Sequence, residues 1–91
     1  MQKRAKITVI GMVQGVGFRY FTQRAAKKLS LNGFVRNQYD GTVYCEVEGE
    51  RGLIEEFIKI LRVGPSWAKV SSVQVEWDSY KGDLTSFHVT H

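Results

Sequence analysis

The spacing of apolar residues changes period several times along this chain, and that alternation constrains the fold more than any other feature. In AKITVI, residues 5 to 10, Ala5, Ile7 and Val9 recur every second position and share one face of a β-strand. Next to it, from Arg19 to Leu31, the period lengthens. Phe18, Thr22, Ala25 and Leu29 stand three and four apart, which predicts an amphipathic helix closed by the left-handed-tolerant pair Asn32-Gly33. Alternation returns in FVRNQYDGTVYCEVEG, which reads as a hairpin turning at Asp40-Gly41 with Val43, Cys45 and Val47 on one face. Residues 53 to 63 carry a second helical stripe, Ile54, Phe57, Ile58 and Leu61, and Gly64-Pro65 ends it. AKVSSVQVEW is a further strand, and SFHVT is short and β-branched enough for a last edge strand.

The resulting order is β-α-β-β-α-β with an extra terminal strand. It defines an α+β, ferredoxin-like βαββαβ sandwich: an antiparallel sheet with two helices on one face and a short extra C-terminal strand. The 91 residues fit a single domain, 1–91, with no internal repeat or linker. Strand-helix-strand crossover makes the first two strands parallel, so their carboxyl ends share one edge of the sheet, with the third strand expected between them.

Composition removes several function classes. No apolar run approaches the ~20 residues that span a bilayer, and the basic start MQKRAKITVI lacks a long apolar region or cleavage site, so no membrane role and a cytoplasmic location are expected. Cys45 is the lone cysteine, in register with Val43 and Val47, and reads as a buried hydrophobe. Net charge is +4, which favours anionic partners in general, but the basic residues form no block.

The stretch GMVQGVGFR, from Gly11 to Arg19, carries the chemistry. It joins the first strand to the first helix, where unpaired backbone N–H groups and the helix dipole favour an anion. Glycines at 11, 15 and 17 let successive amides converge into an anion-binding nest, and Arg19 adds a planar fork suited to phosphate oxygens. The stretch is neither a Walker loop nor a dinucleotide fingerprint. A plain tight turn with a solvated arginine accounts for the same residues equally well. Asn37 ends the second strand on the face of Val35, pointing toward the arc across a gap of roughly 10 Å. Capping of the following turn is the level alternative for that residue.

With both stretches in view, the chain resembles the acylphosphatases. The pattern G-x-V-Q-G-V-x-F-R is complete in Gly11, Val13, Gln14, Gly15, Val16, Phe18 and Arg19. G-aromatic-V-R-N with its following glycines and valine matches Gly33, Phe34, Val35, Arg36, Asn37, Gly41, Val43 and Gly49. Gly64, Pro65, Ala68 and Val70 match a third pattern, and Phe87 with Val89 a fourth. The resemblance implies hydrolysis of the carboxyl-phosphate bond of a small-molecule acyl phosphate. Arg19 would bind the phosphate with the amides of Val13, Gln14, Gly15, Val16, Gly17 and Phe18, and Asn37 would hold the attacking water. It also implies a monomer that needs no metal or cofactor, with phosphate or sulfate as a competing anion.

Other residues have plainer readings. Asp40 sits in a turn and is structural. His88 and His91 form an H-x-x-H whose rings fall on opposite faces of a strand, which disfavours a shared metal. Trp67 and Trp77 are expected to cover the edge of the core. Phe34 and Tyr44 on an open sheet face suit an RNA-binding module, but the RNP1 pattern is absent, so no nucleic-acid partner is expected. A non-catalytic anion-sensing module is a third reading, disfavoured because 91 residues hold no second domain for it to regulate.

Overall fold

The computed structural model describes residues 1–15 and 17–91. Its elements follow in the order β1 (Gln2–Met12), α1 (Phe18–Lys28), β2 (Asn32–Asn37), β3 (Val43–Glu50), α2 (Arg51–Val63), β4 (Lys69–Ser79) and β5 (Phe87–Val89). The sheet order is β4-β1-β3-β2-β5, so β3 lies between the parallel β1 and β2, as the crossover requires. Alternation is read out directly: Ala5 faces Val47, Ile7 faces Cys45 and Val9 faces Val43 across β1 and β3. Val35 then meets Cys45 and Asn37 meets Val43 across β2 and β3.

All these residues except Asn37 are fully buried, under the α1 residues Phe18, Thr22, Ala25 and Ala26 and the α2 stripe Ile54, Phe57, Ile58 and Leu61. Each large apolar side chain removed from water in this layer contributes about 1.5–3 kcal/mol. Asn37 lies in the row that begins past this cover and is only half-buried.

The sheet is mixed where an antiparallel one is expected, because β5 pairs parallel with β2. The connection explains why. β4 runs antiparallel to β1 on one edge of the sheet, so the chain leaves it at the end where β1 and β2 begin. It crosses to the far edge at that end and can only run up beside β2 in the same direction. The crossing segment is tied down on the way. The amides of Lys81 and Gly82 donate to the Glu48 carboxylate at 2.7 and 3.1 Å, and Arg4 donates to Asp83 at 2.8 Å. Asn32 donates to the Leu84 carbonyl at 3.1 Å, and the Gly33 amide to Ser86 at 2.7 Å.

The end of the first helix also differs from expectation. Leu29 is the cap and Ser30 takes the left-handed conformation, with φ 56°. The Leu31 amide reaches back to Ala26 at 2.9 Å and that of Ser30 to Lys27 at 3.1 Å, a Schellman closure with serine in the usual glycine place. Burial of Leu31, 2% exposed, sets the turn two residues before Asn32-Gly33. Gly33 belongs to β2 instead, where a Cβ would lie 1.9 Å from the Glu46 carbonyl oxygen. Trp77 packs against the core under the Arg51 guanidinium, 4.4 Å from its ring centre, whereas Trp67 is 58% exposed.

Candidate active site

The site forms at the end of the sheet where β1 and β2 finish. Val13 and Phe18, each 1% exposed, pin the two ends of the arc into the core and leave Gly15 and Gly17 at the surface. Gly15 and Gly17 both have φ 76°, a conformation that a Cβ would strain. Gly17 caps α1 without any side-chain hydrogen bond, and the first turn holds no acidic residue, so nothing negative from the helix occupies its N-terminal amides. Val16, placed among the phosphate-binding residues by the sequence, lies outside the described residues.

Gln14 has a role that its sequence motif does not reveal. Its carboxamide nitrogen donates to the carbonyls of Gln38 and Thr42, at 2.7 and 2.8 Å, and so ties the arc to the loop between β2 and β3. Both N–H groups of the amide are thereby used, which leaves the Gln14 main chain, not its side chain, to face an anion.

That loop settles which residue caps it. Asp40 accepts from the Thr42 amide at 3.0 Å and from its hydroxyl at 2.6 Å, and the Thr42 hydroxyl also accepts from Gln38 at 2.9 Å. The Thr42 hydroxyl and amide hold the Asp40 carboxyl below the usual carboxylate range, so it stays ionised and structural. Asn37 has no part in this. Among the described residues its carboxamide makes no hydrogen bond within the chain, and it lines an open groove of about 850 Å³ with Gln14, Arg36, Gln38, Tyr39, Asp40 and His91.

Arg19, the second residue of α1, is linked to the groove through His91. Its Nη1 donates to the Thr90 carbonyl at 3.0 Å and stands 3.0 Å from Nδ1 of His91. Thr90 is itself fixed, its amide donating to the Val35 carbonyl at 2.8 Å and its hydroxyl to the same oxygen at 3.2 Å. Nη1 carries two N–H groups and faces two acceptors, so the opposite edge, Nε and Nη2, keeps a fork for two anion oxygens. No carboxylate pairs with Arg19 among the described residues.

Other candidate chemistry is absorbed elsewhere. Cys45 is fully buried, and burial pushes its thiol well above the ordinary range, which removes it as a nucleophile. His88 bonds to Ser86 at 2.7 Å, apart from His91. On the open sheet face, the Phe34 and Tyr44 ring centres stand 6.2 Å apart with Arg36 over both, and the Tyr44 hydroxyl donates to Glu46 at 2.6 Å.

The two helices packed on one face of a five-stranded sheet, with a glycine arc and a groove at one end, define a small ferredoxin-like α+β domain. Comparison with known proteins gives the family. The acylphosphatase family model matches residues 5–89. An acylphosphatase of Moorella thermoacetica is 49% identical over 82 residues, 90% of this chain and 88% of that one. An acylphosphatase of an Anaeromyxobacter species is 47% identical, over 97% of this chain and 95% of that protein. The crystal structure of acylphosphatase from Bacillus subtilis superposes with a TM-score of 0.94 at 34% identity, covering 100% of both chains. The chain belongs to the acylphosphatase family, hydrolases that act on acyl phosphates.

Proposed function

We propose that this chain hydrolyses acyl phosphates by direct in-line attack of a water held by Asn37 on a phosphoryl group held by Arg19 and the arc amides. The observation that carries the reading is the uncommitted carboxamide of Asn37, turned to a groove whose other amide side chains, Gln14 and Gln38, are bonded to the loop. The Nε and Nη2 edge of Arg19 takes two phosphate oxygens, and the arc amides from Val13 to Phe18 take the third. In this reading these donors meet the charge that builds on the equatorial oxygens.

An acyl phosphate is a mixed anhydride, so its carboxylate leaves without help from a general acid. This agrees with a groove in which Asp40, the carboxylate side chain among its described lining residues, is committed to Thr42. The phosphate itself accepts the water's proton. The chain works as a monomer, and phosphate or sulfate competes for the same nest.

The test is Asn37→Ala, assayed for hydrolysis of benzoyl phosphate and for inhibition by inorganic phosphate. Turnover should fall by about 10²-fold or more while phosphate affinity stays within a factor of about two. Loss of phosphate binding with turnover preserved would sink the water-holding role.

A further inference from the structure

We infer that His91 is a positioning residue for Arg19 and that its hold on the guanidinium depends on pH. The inference rests on the reading of Arg19 as the anion-binding side chain. A guanidinium only donates, so at 3.0 Å Nδ1 of His91 must present a lone pair to Nη1, with the ring neutral and its proton on Nε2. A second proton would put an N–H where the lone pair was and a positive charge beside another. The Thr90 carbonyl would remain, because backbone pairing with Val35 holds it in place. Arg19 would then keep one of two restraints on Nη1, and its Nε and Nη2 edge would swing more freely. A looser fork binds two oxygens less well than a fixed one.

The charged and titratable groups around the ring come from three elements. Arg19 contacts it from α1, and Arg36 of β2 lines the same groove. Tyr39 and Asp40 face it from the loop after β2, with the Asp40 carboxylate already bonded to Thr42. The contact spans 72 residues of sequence and lies at the surface, so the ring is open to solvent protons.

The experiment follows sulfate, which stays dianionic throughout, as a competitive inhibitor of benzoyl phosphate hydrolysis between about pH 8 and about pH 5. The wild-type protein should bind sulfate about three- to tenfold more weakly at the acid end, the worth of one hydrogen bond. His91→Ala should show that weakness already at the alkaline end and no further change. His91→Asn supplies an acceptor that does not titrate and should keep the alkaline affinity at every pH. Melting curves of both variants should overlay the wild type, because His91 is exposed.

Parallel curves for wild type and His91→Ala would overturn the inference. So would an acid loss retained by His91→Asn, or a His91-dependent tightening toward acid, which would make the ring a charge donor instead. Arg19→Ala separates the two levels. If it leaves sulfate inhibition intact, the reading of Arg19 itself fails. If it abolishes inhibition while His91→Ala matches wild type, only the inference fails.

Discussion

Two arginines at opposite ends of the sheet are held in opposite ways. Arg4, at the start of β1, is 8% exposed and bonds to three carboxylates: Glu46 at 2.6 Å, Asp83 at 2.8 Å and Glu48 at 3.0 Å. Burial works against its charge, but those hydrogen bonds outweigh it and hold the guanidinium further into its charged range. Arg19, past the end of β1, is held by a carbonyl and an imidazole. Neutral acceptors orient a guanidinium without neutralising it. Arg4 therefore spends its charge inside the molecule, closing the segment that crosses under the sheet. Arg19 has no carboxylate partner among the described residues, which leaves its charge available to the proposed ligand. Counting positive residues would not distinguish them; their partners do.

The comparison breaks first at Arg19. Replacing it with alanine should lower kcat/KM on benzoyl phosphate by about 10³-fold and leave the melting temperature unchanged. Arg19→Lys should recover little, because a point charge cannot grip two oxygens in a fork. A drop of several degrees in either variant would make Arg19 a structural residue like Arg4.

Arg4→Met reverses the pattern. It removes the counter-charge from Glu48, 2% exposed and then held only by the Lys81 and Gly82 amides, and should cost about 3 kcal/mol in urea unfolding. Specific activity of the folded fraction should stay within about twofold, since Arg4 lies at the end of the sheet away from the groove. Unchanged stability would remove the clamp from the account.

The smallest effect is a pH dependence. Burial raises the Glu46 carboxyl, but hydrogen bonds from Tyr44 and Arg4 outweigh it and bring it below its usual range; a hydrogen bond from Arg4 does the same for Asp83. A carboxyl depressed in the folded state contributes stability above its unfolded pKa and loses it as pH falls through the folded value. The urea midpoint should therefore decline below about pH 4, and more shallowly in Arg4→Met. An identical slope in the two proteins would mean the acid loss arises elsewhere.

Legibility in the sequence follows the range of the interaction. The α2 stripe was legible to the residue, because a 3.6-residue period and one buried face are local properties. The end of α1 was not. Ser30 adopts the left-handed turn because Leu31 is drawn into the core, a demand made from outside the helix. The parallel pairing of β5 was equally hidden, since it depends on which edge the chain reaches after β4. At the site, the arc glycines, Arg19 and Asn37 were readable as motifs. The Gln14 tie to the loop, 24 and 28 residues away, and the grip of Thr90 and His91 on Arg19 were not.

The sequence by itself determined the element order, the buried faces and the residue types offered to an anion, because each is set by periodicity or by backbone freedom within a few residues. Tertiary structure alone decided that Asn37 has no side-chain hydrogen bond among the described residues and that Asp40 is committed to the turn. It also decided that Nη1 of Arg19 is held by Thr90 and His91. Those outcomes depend on hydrogen bonds between segments far apart in the chain, and such bonds have no local pattern to read.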